Sequence, residues 1–321
     1  AKDLCALSRT DETRARRRAA RASRSAIGQG TRWRFSSEDR SRLSARLTAW
    51  NRAHPPTVQL PPTGTVRTTD DIAVTQKTLR GRTNHAIPTT APLDAATVDL
   101  PIDPWLLGVW LGDGHTNAGT ITTADLEIVE EIRRLGWTVR HQPSTRYSYC
   151  VVGLSTRLRT VGVLGHKHVP PSYLRASHTQ RLALLQGLMD TDGTTASTGA
   201  AEFDNTNRAV VDAAHELIVS LGWKARITEH RARLYGKDCG PAYSLKWTPS
   251  DYVFRLTRKR ERQKIATRRT TRFRYIVACE RVAPRSMRCI SVESPSRLYL
   301  AGRDMVPTHN SFAILLSIAQ H

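Results

Sequence analysis

Apolar residues in the middle of the chain follow a pattern that occurs twice. In each copy an apolar helical segment ends in Asp-Gly, and a Thr- and Gly-rich turn and a strand follow. A capped amphipathic helix then leads to Leu-Gly-Trp and a further strand. The copies lie 79 residues apart, measured from Asp113 to Asp192. This period is too long for a solenoid repeat, so the pattern predicts a duplicated α/β subdomain with pseudo-twofold symmetry.

The flanks of this repeat have a different texture. Residues 1–60 are rich in Arg, Ser and Ala and lack an apolar period, whereas Thr-Thr-Asp-Asp at 68–71 predicts the start of a helix. From about residue 276 the chain becomes β-like, with YIVACERV, MRCISVES and SRLYLAG each bounded by turn residues. The final SFAILLSIAQH is an apolar helical segment.

The net charge of the chain indicates what kind of partner it binds. The chain has 49 Lys and Arg against 28 Asp and Glu, a net charge of +21. Such an excess favours a polyanionic partner, although a generally Arg-rich proteome would produce it too. No run approaches the roughly 18 apolar residues of a membrane span, and the start of the chain lacks the apolar core of a signal peptide, so we expect a cytoplasmic protein. The five scattered cysteines, without a CxxC pair, argue against a disulfide framework and a zinc site.

Glycines mark where the two apolar helices could meet. Gly108 and Gly187 lack a Cβ and would let the helix backbones approach closely. Gly114 and Gly193 would supply the permissive conformation that ends each helix. Side-by-side packing of this kind would bring Asp113 and Asp192 together.

Two neighbouring carboxylates repel each other, and their pKa values rise unless a cation lies between them. A small hard ion such as Mg²⁺ prefers carboxylate, water and phosphate oxygen. Asp113 and Asp192 with a shared metal and a basic surface are typical of a phosphodiester hydrolase. An Asp that only caps a turn before Gly is the plainer interpretation for one copy, but two matched copies favour the metal site.

LLGVWLGDG and LLQGLMDTDG resemble the paired motifs of LAGLIDADG homing endonucleases, over residues 102–275. The resemblance implies two αββαββα halves with the motif helices at their interface and saddle-shaped sheets on the major groove of double-stranded DNA. It also implies that Asp113 and Asp192 bind Mg²⁺ and that one chain works as a monomer. Leu111 and Gly112 replace the first Asp and the Ala of the family motif, and the last Asp remains.

GHKHVPPSYLRAS resembles the Lys-Xaa-Ile-Pro block that precedes the second motif in intein endonucleases, with Lys167 as the catalytic-site lysine. A cation near the scissile phosphate would stabilise transition-state charge. His166 and His168 could form a metal site, but no third ligand is near in sequence. The basic stretch FRLTRKRERQKIATRRTTRFR (254–274) is either a solvated face or a phosphate-contacting surface.

The C-terminal CISVESPSRLYLAGRDMVPTHNS resembles the last two blocks of an intein. By that resemblance Asn310 cyclises and cleaves its own peptide bond, assisted by His309. Ser311 is the hydroxyl nucleophile that starts the flanking sequence, or extein. Cys289 occupies a position where inteins often place an assisting residue.

The N-terminal splicing motif of an intein is less evident. Cys5 begins a CALS sequence similar to an intein start, yet no strands and no Thr-Xaa-Xaa-His block follow it. The first residue is therefore missing or degenerate, or Cys5 takes its role; a separate piece could also act in trans. The resulting fold is α+β: a duplicated endonuclease domain plus a partial all-β Hint splicing domain. Its regions are the N-terminal splicing part and linker (1–100), the endonuclease (101–275), the C-terminal Hint segment (276–310) and the extein (311–321).

The predicted function is site-specific double-strand DNA cleavage together with a C-terminal protein-splicing block. If Gly-Lys preceded the intein in its host, joining to Ser311 would give a Gly-Lys-Ser P-loop, so a phage terminase or another P-loop ATPase is the predicted host. Two alternatives stay open: a DNA-binding remnant that no longer cuts, and a splicing element with a vestigial endonuclease.

Overall fold

A computed structural model of the chain describes residues 67–143, 145–267, 269–283, 286, 290–293 and 298–309. The helices are α1 (Thr69–Val74), α2 (Pro104–Asp113), α3 (Leu126–Arg134), α4 (Leu154–Val161), α5 (Pro171–Leu174), α6 (His178–Asp192), α7 (Arg208–Ser220) and α8 (Thr257–Arg260), with a 3₁₀ turn at Arg269–Arg272. The strands are β1 (Ala86–Pro88), β2 (Thr120–Thr122), β3 (Val139–His141), β4 (Ser148–Val151), β5 (Gly193–Thr195), β6 (Ala201–Asn205), β7 (Arg226–Leu234), β8 (Lys237–Trp247), β9 (Phe273–Tyr275), β10 (Leu298–Ala301) and β11 (Val306–His309).

The two predicted motif helices are α2 and α6, and each begins at a polar cap. Asp103 accepts hydrogen bonds from the N–H groups of Trp105 and Leu106, and Pro104 occupies the first helical position. Ser177 and Gln180 form a reciprocal capping box at the start of α6. These caps satisfy N–H groups that have no partner within the helix.

Each motif helix ends at its Asp, as the Asp-Gly pattern predicts, but the glycines act differently from our expectation. Gly114 has φ −78° and Gly193 has φ −87°, so both are extended and neither needs the left-handed region. The constraint is steric. A Cβ on Gly114 would lie 2.6 Å from the Cγ of Trp110, and one on Gly193 would lie 2.7 Å from the Cα of Met189.

The predicted close approach of the motif helices is confirmed. A Cβ on Gly108 would lie 2.8 Å from the backbone nitrogen of Leu188, and one on Gly187 would lie 2.8 Å from that of Val109. No real Cβ tolerates such distances, so a side chain at either position would separate the helices. The helices therefore cross at these two glycines.

The duplication predicted from the repeat is present in the order of elements. The second half runs α6-β5-β6-α7-β7-β8-α8, with an antiparallel sheet of order β5-β6-β8-β7. The first half runs α2-β2-α3-β3-β4-α4, with a sheet of order β2-β4-β3. There a single bridge between Gly114 and Ile121 replaces the strand that corresponds to β5. The second half thus has the αββαββα order, and the first half approaches it.

Two strands bracket this duplicated domain. β1 pairs antiparallel with β9, with Pro88 opposite Phe273, and the N–H of Thr89 donates to the Arg272 carbonyl at 2.9 Å. The chain therefore enters and leaves the domain at one place. Every buried hydrophobic side chain among the described residues lies between Ile102 and Leu256.

The flanking predictions have mixed outcomes. The helix start at 68–71 is confirmed by a capping box between Thr68 and Asp71 at α1. The predicted strand YIVACERV is wrong beyond Tyr275, because residues 276–282 form no strand. SRLYLAG does contain β10, which pairs with β11. Residues 1–66, including Cys5, lie outside the described part of the chain.

The β10–β11 hairpin contacts the duplicated domain through its turn. The carboxylate of Asp304 lies 3.3 Å from Nε2 of His215 on α7 and 3.4 Å from a guanidinium nitrogen of Arg274. The neighbouring Arg303 pairs with Asp212 at 3.1 Å. None of the described helices is both long enough and apolar enough to cross a membrane.

Candidate active site at the ends of the motif helices

The two motif aspartates lie next to each other where α2 and α6 end. A Cβ on Gly112, directly before Asp113, would lie 3.3 Å from Oδ2 of Asp192. Burial raises the pKa of Asp113 to about 6, and the neighbouring Asp192 carboxylate adds to the rise. Burial also raises the pKa of Asp192, whereas a 2.6 Å hydrogen bond from Asn205 opposes that rise. A cation between the two carboxylates would relieve their repulsion and favour their ionised forms.

Lys167 reaches the end of the first motif helix from the loop before α5. Its ammonium donates hydrogen bonds to the carbonyl oxygens of Leu111 (3.0 Å) and Gly112 (3.1 Å) and lies 5.3 Å from the centroid of the Trp110 ring. Burial lowers its pKa, while the charges of Asp192 and Asp113 oppose that change. The structure thus brings Lys167 to the aspartates, as predicted.

A second lysine occupies the equivalent place in the other half, and the sequence did not single it out. Lys259 donates to the carbonyl oxygens of Asp190 (2.7 Å) and Thr191 (3.0 Å), which lie 79 residues after Leu111 and Gly112. It also donates to the carbonyls of Met189 and Gly193 and is only 8% exposed. Backbone carbonyls in the last turn of each motif helix therefore accept hydrogen bonds from one lysine ammonium.

The basic stretch 254–274 has another role at several of its positions. Arg255 pairs with Glu131 at 3.0 Å, Arg258 pairs with Asp125 at 2.6 Å, and Lys259 is buried as described. These three cations bind the protein itself. A purely solvated or purely phosphate-contacting face, the two interpretations offered by the sequence, does not account for them.

The first acid of the second motif, Asp190, has a structural environment. It is 2% exposed and accepts hydrogen bonds from Trp105 Nε1 (2.8 Å) and from the backbone N–H groups of Arg255 (2.9 Å) and Leu256 (3.1 Å). Its carboxylate thus ties α6 to α2 and to the segment before α8. Leu111 stands at the corresponding position of the first motif, so this network is made in one half only.

The remaining predicted site residues have different outcomes. His166 and His168 have ring centroids 5.4 Å apart in a loop, and no group of three metal-ligating side chains occurs among the described residues. Cys289, Asn310 and Ser311 lie outside the described residues. The backbone of His309 ends β11, opposite Leu298.

The residues at the aspartate pair suit a magnesium ion. The ligands offered are carboxylate oxygens, and their pKa values are raised, as expected for neighbouring buried acids that a metal would ionise. Mg²⁺ commonly takes one or two protein carboxylates and completes its shell with water and substrate phosphate. Two aspartates are therefore a sufficient protein contribution.

Part of the chain matches a known protein family. Residues 179–271 match a family model described as the LAGLIDADG-like domain. Solved structures of the homing endonuclease I-DmoI are similar at a TM-score of 0.32: a mesophilic variant (19% identity, 46% of this chain, 88% of that one) and a complex with DNA and Ca (16%, 49% and 93%).

The chain is also similar to the replicative DNA helicase DnaB of Mycobacterium intracellulare. The two are 41% identical over 251 residues, which is 77% of this chain and 42% of the helicase. The chain therefore spans less than half the length of this relative. The chain has mixed helix and sheet, and its residues 179–271 are similar to the LAGLIDADG-like domain.

Proposed function

We propose that residues 101–275 form a homing endonuclease that cuts both strands of DNA at a long specific site with the help of Mg²⁺. The observation that carries this proposal is the pair Asp113 and Asp192 at the ends of two crossed helices, with one lysine at each helix end. A phosphodiester hydrolase needs an acidic metal site and cations for the developing charge, and this arrangement offers both.

Asp113 and Asp192 would hold the divalent ion, which supplies Lewis acidity toward phosphate oxygen and a more acidic water. Lys167 and Lys259 keep each helix end in place through their carbonyl contacts and hold positive charge beside the aspartates. Because burial lowers the pKa of both lysines, each is a better proton donor than a free lysine. One chain contains both halves, so it would act as a monomer.

The DNA-binding surface would be the two antiparallel sheets. The long β7–β8 hairpin carries exposed basic side chains on both strands, at Arg226, Arg231, Arg233, Lys237 and Lys246. Cations on a strand can contact phosphates, and the intervening side chains can read base edges in the major groove. The chain's net charge of +21 supports the same partner.

The test is a cleavage assay on a duplex that carries the joined insertion site of the host gene. Wild-type protein with Mg²⁺ should produce a double-strand break, whereas EDTA, Asp113→Asn or Asp192→Asn should abolish it. Tight, salt-dependent binding by wild-type protein without cleavage would replace the proposal with a DNA-binding remnant. Absence of both binding and cleavage would refute the DNA function.

We also propose that the chain derives from an intein whose host is a replicative DNA helicase rather than a terminase. The segment after the proposed junction, 311–321, is short, so most of the 251 residues matched in the helicase correspond to the body of this chain. An element inserted in a longer host would produce this relation. The terminal hairpin ending at His309 is where the proposed splicing residues Asn310 and Ser311 follow.

Expression of the chain with its flanks tests the splicing proposal. Release of the peptide that begins at Ser311, followed by mass spectrometry, is expected for wild-type protein and not for Asn310→Ala. Equal release from both would mean ordinary proteolysis. No release from either would leave the Hint segment without splicing activity.

A further inference from the structure

The N-cap residues of α3 and α7 occupy equivalent places in the two halves. Asp125 is the N-cap of α3, and its N–H donates to the side chain of Thr123 at 3.1 Å. Asn207 is the N-cap of α7, and its N–H donates to the side chain of Asn205 at 2.7 Å. The pseudo-twofold relation therefore extends to these two cap residues.

The Asp125 side chain does not cap its own helix. Asp is among the preferred N-cap residues because its carboxylate accepts N–H groups of the first turn, yet Asp125 makes no such bond. Instead its two oxygens accept Nε (2.8 Å) and Nη2 (2.6 Å) of Arg258 in a bidentate pair. Arg258 directly precedes Lys259, so a first-half residue holds the lysine segment of the second half.

Asn207 makes the reverse contact. Its Oδ1 caps α7 by accepting the N–H groups of Ala209 and Val210, and its Nδ2 donates to the backbone carbonyl of Lys167 at 3.0 Å. A second-half residue thus holds the lysine segment of the first half. The two contacts cross the molecule in opposite directions.

The contact to the second lysine segment is the stronger of the two. Besides the Asp125–Arg258 pair, the N–H of Thr257 donates to Glu127 at 2.9 Å, and Arg255 pairs with Glu131 at 3.0 Å. The N-cap of α3 and two side chains on that helix therefore hold residues 255–258 in place. For Lys167, the described hydrogen bond from the opposite half is one neutral amide–carbonyl bond, which holds position less firmly than a bidentate ion pair.

We propose that Asp125 and Asn207 are positioning residues that set the place of the lysine in the opposite half, Asp125 for Lys259 and Asn207 for Lys167. This inference rests on the proposed endonuclease function. Each lysine lies at one of the two helix ends, so each serves one of the two DNA strands. Loss of one contact slows cleavage of one strand, and the positions of the two reacting centres depend on packing between the halves.

The test measures the cleavage rate of each strand separately, on a duplex labelled differently at its two ends. Lys259→Met and Lys167→Met first identify the strand that each lysine serves. Asp125→Ala should slow the Lys259 strand by about tenfold, with nicked product accumulating, because small misplacement of a reacting group has large kinetic effects. Asn207→Ala should slow the Lys167 strand by about threefold. Asp125→Ala should add nothing to Lys259→Met on that strand.

The choice of Asp125 avoids a confounding effect. A carboxylate repels phosphate, so its removal by charge alone strengthens DNA binding, and slower cleavage cannot be a lost DNA contact. Glu216→Ala is the matched control, since Glu216 forms an acid–guanidinium pair with Arg175, and that pair includes neither lysine segment. The control should leave both strand rates unchanged. Equal slowing of both strands by Asp125→Ala, or no slowing, would overturn the inference.

A second measurement does not depend on cleavage. Acetic anhydride modifies lysines according to their exposure, and mass spectrometry reports the rates for Lys259 and Lys167 in the same sample. Asp125→Ala should raise the Lys259 rate severalfold relative to Lys167, and Asn207→Ala should do the opposite. Unchanged ratios overturn the inference. If the ratios change while wild-type protein cuts no DNA, the positioning stands and the endonuclease proposal alone fails.

Discussion

Gly108 and Gly187 face each other without any side chain between them. A Cβ on Gly108 would lie 2.9 Å from the Cα of Gly187, and a Cβ on Gly187 would lie 2.9 Å from the Cα of Gly108. This reciprocal contact brings α2 and α6 close enough for their terminal aspartates to share a site. The aspartates can lie together because both crossing residues are glycines, which have no side chain beyond a hydrogen atom.

Gly108→Ala should lower the free energy of unfolding by about 3 kcal/mol, because the methyl group meets backbone that cannot move aside. Urea unfolding followed by circular dichroism measures this change. Gly162→Ala is the control: its φ is +82° and nothing lies within 4 Å, so only conformational strain of about 1 kcal/mol is expected. Equal effects at the two positions would contradict close helix packing.

Asp113 should make the metal-free protein sensitive to pH. Its pKa is about 6 in the fold, against an ordinary value of 3.8. A carboxyl whose pKa rises on folding stabilises the fold fully below the unfolded value, and this contribution is lost as the pH rises through the folded value. In EDTA, Asp113→Asn should therefore match wild type near pH 4. At pH 7.5 it should be more stable by about 1 kcal/mol, allowing for screening at a half-exposed site.

Denaturant unfolding at both pH values, with and without Mg²⁺, tests that difference. Added Mg²⁺ should stabilise wild-type protein at pH 7.5 and leave Asp113→Asn unaffected, since binding to the folded state alone raises stability. If the free energies of unfolding of the two proteins changed with pH in parallel, folding would not raise the pKa of Asp113.

Lys259 should contribute more than Lys167 to the stability of the fold. Four carbonyl oxygens share the three N–H donors of Lys259, which is buried, whereas Lys167 donates to two carbonyls and is half-buried. Unsatisfied buried acceptors are costly, so Lys259→Met should destabilise by about 3 kcal/mol and Lys167→Met by about 1 kcal/mol. Thermal and urea unfolding decide this order, and a reversed order would contradict the hydrogen-bond assignments.

The motif helices could be predicted because their signals are local. Each has an apolar run, a small residue at the crossing and a terminal Asp-Gly, all within a few turns of one helix. Lys259 could not, since Lys167 follows Asp113 by 54 residues while Lys259 follows Asp192 by 67. The longer β7–β8 hairpin lengthens the spacing between Asp192 and its lysine, and Lys259 does not stand out in the sequence because arginines flank it. Contacts such as Asp125–Arg258, 133 residues apart, leave no trace in periodicity.

The β7–β8 hairpin should contribute to DNA binding through charge. Arg233→Ala should reduce the slope of log K against log salt by about 1, as expected when one phosphate contact is lost. Fluorescence anisotropy between 50 and 300 mM salt would measure this slope on a duplex of about 30 base pairs. Arg157→Ala, an exposed arginine on α4, should leave the slope unchanged. Equal slopes for Arg233→Ala and wild type would exclude this strand from the interface.

Residues 89–272 should fold without their flanks. The core lies between Ile102 and Leu256, and the chain enters and leaves through the paired strands β1 and β9, where Thr89 donates to Arg272. Removal of the flanks leaves that core intact, so the fragment should unfold cooperatively, with a melting temperature within about 5 °C of the longer chain, a shift of about 1–2 kcal/mol for a domain of this size. Differential scanning calorimetry of both proteins measures it. A fragment without a cooperative transition would mean that folding needs the β1–β9 pair or the β10–β11 hairpin, which contacts His215 through Asp304.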